Sequence, residues 1–414
     1  MGGGSMGQGD PMTERVWFVF GGGGTGGHLF PALSVADVLS ARCGGVDVSF
    51  LCTQRPMDAE LLRAAKVEAI PQSVRPIPSR PWQWPGCLLR WRESVGLCRR
   101  LFAQRRPAAV VGAGGYASGP PVHAALRMGI PTFLLNPDAV PGRANRYLAK
   151  RRGLAGIFAQ WEVTRDHLPA AAPVIVTGCP VRRAFREVRR SDVPAIVQSF
   201  GLDPGRRTLL VTGASQGART INEAMMRLAG TLNFAGWQVL HLTGPADADR
   251  VGAAYARAKS SLGMWRFHGR VLAFTERMAE AVAAADLIVS RAGASTLAEI
   301  IAAGKPSVLV PYPYHRDQHQ RHNATVLVSA GAALLVDDAR NAEMNANRLG
   351  SVLAPVLADD ERRTAMAEAA RGLDRVDSAE RIADRLLSAV EHSSERSPDG
   401  DLPAHPPVLS RQTA

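Results

Sequence analysis

Four glycine-rich stretches, one histidine and one glutamate carry the residue types from which a reaction could be built. Residues 21–28 (GGGGTGGH) follow the apolar run 15–20 (RVWFVF). Repeated glycine lets backbone N–H groups approach an anion, and a helix starting behind the loop adds its partial positive charge. Gly22, Gly24 and Gly27 also satisfy GxGxxG, although the next strand ends in CTQR without the ribose-binding acid of a dinucleotide site. Arg55 in that position would suit a 2′-phosphate. No GK[ST] follows, which excludes a P-loop. His28 closes the stretch. An imidazole that titrates near neutrality is suited to general-base work, the plainer alternative being a helix cap bonded to backbone.

The other stretches repeat the pattern farther along. Residues 112–120 (GAGGYASGP) and 213–218 (GASQGA) each follow an apolar run, and Ser215 and Gln216 can donate to phosphate or sugar oxygens. In residues 290–299 (SRAGASTLAE), Gly293 permits close approach and a helix opening near Ala294 aims its N–H groups at an anion. Ser295 and Glu299 share one face of that helix at i, i+4, where a carboxylate can accept two bonds from a ribose diol. Residues 311–324 (PYPYHRDQHQRHNA) bring His315, Asp317, Gln318, His319 and Gln320 toward the same edge. No HExxH or comparable ligand set is present, so this cluster is read as hydroxyl recognition and no metal is expected.

Elements of regular structure must place these loops together. Runs at 15–20, 46–52, 109–111 and 132–135 read as strands separated by helical stretches, one helix starting near Leu29. The rhythm restarts at 208–212, 239–243, 287–290 and 307–310. Alternating strand and helix means α/β domains with parallel sheets, whose ligands sit at the carboxyl edge of the strands. The expected organisation is a tail at 1–14, a domain at 15–178, a second at 179–376, an amphipathic helix at 377–391 with Ile382, Leu386 and Val390 on one face, and a disordered tail at 392–414 rich in Pro and Ser.

Composition bounds the remaining classes. The chain of 414 residues is 46% hydrophobic and 21% charged, which excludes a fibrous or mostly disordered protein. It has no secretory h-region and no run long enough to span a bilayer. Five cysteines, an odd number without CxxC or zinc spacing, fit a reduced compartment. The net charge of +12 favours an anionic partner. Between residues 75 and 106, eight arginines face Glu93 alone, interleaved with Trp82, Trp84 and Trp91. Leu88, Trp91, Val95, Cys98 and Phe102 recur there as an apolar helix stripe. Tryptophan and arginine together suit the anionic surface of a membrane; no nucleic-acid module is present.

In combination the motifs are specific. GGTGGH, GGYxSGP, CPVR at 179–182, GxSQGAR at 213–219 and RAGAST-x-x-E at 291–299 occur in this order, and the chain over about 15–390 resembles the MurG family of bacterial UDP-N-acetylglucosamine transferases. The resemblance implies a GT-B fold, two Rossmann-like domains with a cleft between them and a last helix crossing back to the first. It implies inverting transfer from UDP-N-acetylglucosamine to the C4 hydroxyl of lipid I, forming lipid II for peptidoglycan, on the cytoplasmic face of the inner membrane as a peripheral protein, with no cofactor. It places Thr25, Gly26 and Gly27 beside the donor sugar and acceptor diphosphate, with His28 as base. Arg182, Ser215 and the stretch Ala294, Ser295, Thr296, Leu297, Ala298 and Glu299 form the nucleotide site, Glu299 on the ribose. Thr275 with Phe274 walls the uracil, and Gln320 reads the sugar hydroxyls. The family's HEQN is here Leu135, Asn136, Pro137 and Asp138, so Asp138 stands near the donor sugar and competes with His28 as base. Other classes are a different GT-B glycolipid transferase, an NADP-dependent oxidoreductase resting on Gly22, Gly24, Gly27 and Arg55, and a non-catalytic sugar-nucleotide-binding subunit at the membrane.

Overall fold

The computed structural model describes residues 15–394 except 25, 43–44, 79, 189–191, 214–215, 263–266, 315–316 and 376. The tail expected at 1–14, residues 395–414 of the tail expected at 392–414, and the predicted site residues Thr25, Ser215 and His315 lie outside the described residues.

The first half folds as β1 (Val16–Gly22), α1 (Gly26–Arg42), β2 (Val46–Cys52), α2 (Pro56–Ala64), β3 (Glu68–Pro71), α3 (Trp84–Gln104), β4 (Ala109–Gly114), α4 (Gly119–Arg127), β5 (Thr132–Asn136), α5 (Arg143–Leu148), β6 (Gly156–Ala159) and β7 (Val174–Val176). Its seven strands are parallel, in the order β3-β2-β1-β4-β5-β6-β7. Side chains alternate between the faces of a strand, and β1 follows that period of two. Phe18 and Phe20 join a core with Phe50 and residues of α1, whereas Trp17 and Val19 join another with Cys98 and Phe102 of α3 and Ala124 of α4. Full burial of each such large side chain stabilises by about 1.5–3 kcal/mol.

The second half comprises α6 (Ala184–Glu187), α7 (Val193–Ser199), β8 (Arg207–Thr212), α8 (Arg219–Thr231), β9 (Trp237–Leu242), α9 (Ala248–Leu262), β10 (Gly269–Leu272), α10 (Met278–Ala283), β11 (Leu287–Ser290), α11 (Ala294–Ala303), β12 (Ser307–Leu309), α12 (His319–Ser329), β13 (Ala333–Leu335), α13 (Ala342–Ala358), α14 (Asp360–Gly372) and α15 (Ser378–Ser394). Six parallel strands run in the order β10-β9-β8-β11-β12-β13. The fold is therefore the expected pair of Rossmann-like α/β domains. Helix α15 returns to the first domain, where Ala379, Ile382, Ala383 and Leu386 are buried in the core that α1 also lines.

Several boundaries differ from the sequence reading. Helix α1 begins at Gly26, not near Leu29, and the absence of a side chain at Gly26 lets the Phe30 ring pack on this first turn, 2.9 Å from where a Cβ would stand. Helix α15 continues to Ser394, past the expected end at 391. The apolar stripe on α3 is split: Cys98 and Phe102 are buried, while Leu88 is 52% exposed. Trp91, between these ends of the stripe, is half-buried and packs edge-on to His123 of α4 with centroids 6.2 Å apart.

Candidate active site

Parallel strands end on the same edge, and the loops after β1 and β5 of the first sheet meet the segments after β11 and β12 of the second. The first of these loops is held from within. The Gly24 N–H donates to both oxygens of Asp58, at 3.0 and 2.9 Å, and Thr53 Oγ1 donates to the same carboxylate at 2.5 Å. Arg55 Nη1 donates to the Gly24 carbonyl at 2.9 Å. Gly23 has φ +145°, and a Cβ there would lie 2.3 Å from Asp58 Oδ2. These contacts overturn the dinucleotide reading of Gly22, Gly24, Gly27 and Arg55. The N–H needed for a pyrophosphate is already spent on a carboxylate, and the arginine needed for a 2′-phosphate is spent on the loop.

His28 lies in the first turn of α1, half-buried, with Nδ1 3.4 Å from the Gly23 carbonyl. Its ring rests on the strand end at Gly114, where φ is +107° and a Cβ would lie 2.8 Å from the imidazole Cδ2. The glycines after β4 thus make room for an imidazole at the edge of the cleft.

Among the described residues, four side chains of the second half reach across that cleft. Ser295 Oγ, in the first turn of α11, donates to the Gly27 carbonyl at 3.1 Å. Asn323 of α12 donates from Nδ2 to Asp138 Oδ1 at 2.8 Å and accepts from the Ala139 N–H at 2.8 Å. His319 Nδ1 lies 3.0 Å from the Val140 carbonyl. The Arg182 guanidinium stands over the Phe30 ring of α1, 4.6 Å from its centroid, and over Phe185 at 5.0 Å. A cation stacked between two rings gains about 0.5–2 kcal/mol as it is desolvated.

Arg182 Nη2 also donates to Glu299 Oε1 at 2.8 Å. Glu299 is buried, and burial pushes its carboxyl up while the Arg182 charge and hydrogen bond pull it down. Behind Gly293, which supplies no side-chain cap, the first-turn N–H groups of α11 point at the cleft beside this pair. Leu297 and Ala298 are buried in the core. The Leu297 N–H is bonded to the Gly293 carbonyl, so within this stretch Ala294, Ser295 and Thr296 are the residues whose backbone begins the helix. Gln320 accepts at Oε1 from the N–H groups of Ala292, at 3.2 Å, and Tyr312, at 2.9 Å. Two backbone donors fix the amide orientation and leave its NH2 group as the donor for a hydroxyl. Thr275 Oγ1 accepts from the Arg277 N–H at 3.1 Å beside Phe274, which is 57% exposed.

Behind the loops of the second domain, Arg291 donates to the carbonyls of Val310 and Pro311, to Thr220 Oγ1, and to Asp338 Oδ2 at 2.9 Å. This buried network ties the ends of β11 and β12 to α8. The sequence reading passed over it, and it also passed over Asp58, Phe30 and Asn323. Asp58 had a signal, an acid in the first turn of a helix opened by Pro56. The others depend on contacts between distant segments, and nothing local marks them.

The site can bind an anion at the N-terminus of α11, hold a diol at Glu299, and present an imidazole from the opposite wall. The chain as a whole is similar to known glycosyltransferases. Residues 18–156 match the glycosyltransferase family 28 N-terminal domain, and residues 208–386 match the C-terminal domain of the same family. A relative from Chlorobaculum tepidum, 36% identical over 89% of this chain and 98% of its own length, is named UDP-N-acetylglucosamine–N-acetylmuramyl-(pentapeptide) pyrophosphoryl-undecaprenol N-acetylglucosamine transferase. One of the same name from Leifsonia xyli is 39% identical over 88% of this chain and 96% of its own. The crystal structure of Acinetobacter baumannii MurG superposes with a TM-score of 0.70 at 28% identity, covering 90% of this chain and 99% of that one. A UDP-GlcNAc 2-epimerase from Neisseria meningitidis, bound to UDP-GlcNAc, shares the fold with a TM-score of 0.63 at 16% identity.

Proposed function

The chain belongs to glycosyltransferase family 28, and we propose that it moves N-acetylglucosamine from UDP-N-acetylglucosamine to the C4 hydroxyl of the muramyl sugar of lipid I, forming lipid II. The observation that carries this reading is the meeting of two elements across the cleft. The N-terminus of α11, with Ser295 and Glu299, touches the glycine loop that delivers His28.

The chemistry follows from that placement. The acceptor hydroxyl attacks the anomeric carbon from the face opposite the diphosphate, which inverts the configuration. His28 takes the hydroxyl proton. The departing UDP gathers negative charge, which the first-turn N–H groups of α11, Arg182 and Ser215 stabilise. Glu299 holds the ribose, Phe274 and Thr275 flank the base, and the Gln320 amide reads the sugar hydroxyls. Gly26 and Gly27 border the acceptor diphosphate. Asp138 accepts from Asn323, which positions the loop after β5, and it stands as the competing base to His28.

A lipid-borne acceptor requires a way onto the membrane. Among the described residues no helix is long and apolar enough to cross one. Ile77, Trp82, Trp84, Leu88 and Leu89 are instead exposed by 79, 71, 58, 52 and 59% on one short stretch, with the Arg80 guanidinium 5.5 Å from the Trp82 ring centroid. This stretch, with Arg75, Arg80, Arg90 and Arg92, is proposed to dock on the anionic cytoplasmic face of the inner membrane, apolar rings entering the headgroup layer and arginines meeting lipid phosphates.

The test of the reaction is incubation with radiolabelled UDP-N-acetylglucosamine and a short-chain lipid I analogue. Label in a lipid-linked disaccharide, with stoichiometric UDP release, is the expected result. Release of free sugar or its C2 epimer without transfer would overturn the reading.

A further inference from the structure

One face of α5 and the turn before β7 enclose an open concavity of about 560 Å3, lined by Arg143, Arg146, Tyr147, Lys150, His167 and Pro169. Three of these side chains are cations and none is an acid. Arg143, Arg146 and Tyr147 stand at three- and four-residue steps on α5 and project from the same side, and Lys150 follows in the turn just past its C-terminus. Among the described residues, Arg143, Arg146 and Lys150 have no carboxylate at ion-pair distance, whereas nearby Arg165 is paired with Glu162. Arg151 stands over the exposed Tyr147 ring, 4.6 Å from its centroid, and adds a further positive charge.

The concavity adjoins the cleft. The loop from Asp138 to Gly142 runs straight into α5, and the second domain grips that loop through Asn323 and His319. His167 also approaches α12: burial first, and then the charge of His167, holds His322 below its ordinary value.

The proposed reaction supplies an anion for this place. Its acceptor carries a diphosphate on C1 and a peptide on C3, the carbon beside the attacking C4 hydroxyl. The glycine loops with the N-terminus of α1 match the diphosphate. The peptide leaves the sugar next to the reacting centre, and five extended residues reach about 17 Å. We propose, resting on that reading of the reaction, that the α5 concavity binds the C-terminal carboxylate of the acceptor peptide, with Arg146 and Lys150 taking the carboxylate and Tyr147 packing on the peptide chain.

The experiment compares two water-soluble, short-chain lipid I analogues, one ending in the free carboxylate and one in a carboxamide, using the full chain and its Arg146→Gln/Lys150→Gln variant. Turnover of the carboxamide analogue by the variant at the parent's rate, with an unchanged urea unfolding midpoint, checks that the substituted domain is folded. The full chain should lose about fivefold in acceptor kcat/KM on amidation, the scale of an exposed charge pair. The variant should not distinguish the two analogues. An equal ratio in both proteins, or a full chain indifferent to amidation, would overturn the assignment. So would a variant whose only defect is weaker sedimentation with phosphatidylglycerol vesicles, because the concavity would then hold a lipid headgroup. No transfer to either analogue by the full chain would overturn the reaction itself, a distinct result.

Discussion

The glycine loop after β1 and the one that opens α11 look alike as sequence and differ in what their N–H groups meet. In the first domain the Gly24 N–H is bonded to the carboxylate of Asp58, a resident anion. In the second, Gly293 leaves the first turn of α11 uncapped by any side chain, with Arg182 alongside. A glycine pattern therefore marks only that a backbone can be approached. The neighbour that fills the approach decides which of the loop's N–H groups are left to meet a ligand. Here the filled loop carries His28 and the open one is suited to the leaving diphosphate. The same contrast extends outward. The second domain turns Arg291 inward onto Asp338, whereas the first displays arginines on α3 and α5 beside exposed tryptophan and tyrosine.

The contrast is broken most directly at His28. Replacing it with alanine should lower kcat by about 10²–10⁴, the range for a lost general base, while UDP-N-acetylglucosamine binding is retained. A fall below fivefold in a folded variant would reduce His28 to a cap and move the base to Asp138.

Asp338→Ala tests whether the second domain's loops depend on their buried pair. Removing one partner of such a pair costs about 3–5 kcal/mol, because Arg291 is left charged and buried. Burial alone would raise the Asp338 carboxyl, but bonds from Thr220, Asn345, the Arg340 N–H and Arg291 outweigh it and hold the carboxyl below its ordinary 3.8. The stabilisation it provides is present above that value and is lost as pH falls through the lower folded value. Urea unfolding at neutral pH should show the full deficit, and the gap between variant and parent should close in strong acid. A variant within 1 kcal/mol of the parent at neutral pH would refute the network's role.

Glu299→Ala sharpens the assignment of the donor to the second domain. Loss of a charge-assisted bond to the ribose is worth about 1.5–3 kcal/mol, so donor KM and UDP inhibition should weaken on the order of tenfold or more. Unchanged values for both would mean that Glu299 serves only to hold Arg182.

The fold was legible at most apolar, central strands, though the buried four-residue run Gly156–Ala159 of β6 was passed over. β2 and β11 lie at the residues read from their runs, Val46–Cys52 and Leu287–Ser290. The edge strands β3, β7, β10 and β13 were not, since Glu68–Pro71 and Gly269–Leu272 are short, partly exposed and carry charge inside the strand. The pairing that makes them strands comes from the sheet. In the site, His28, Glu299 and Gln320 stood out because glycine, helix spacing and amide chemistry are local signals. Asn323 and Phe30 did not, because each acts on a segment that the chain brings near only after both domains have formed.

The smallest effects per residue belong to the proposed membrane face, and they separate the two domains most cleanly. Each arginine near an anionic surface contributes about 1 kcal/mol, screened by salt over a Debye length of about 8 Å at physiological strength. Trp82 and Trp84 add a contribution that salt does not screen, because an indole settles in the headgroup layer through its apolar ring and its N–H. Substituting Trp82, Trp84, Arg90 and Arg92 together should therefore reduce co-sedimentation with anionic vesicles at both low and high salt, while turnover of a water-soluble acceptor persists. Neutralising Arg257 and Arg270 of the second domain, exposed cations on α9 and β10, should leave vesicle binding unchanged. Equal binding by the first variant and the parent at both salt concentrations would refute the docking face. Equal losses from the two variants would show that net charge alone, rather than the Trp82–Trp84 turn, draws the protein to the surface.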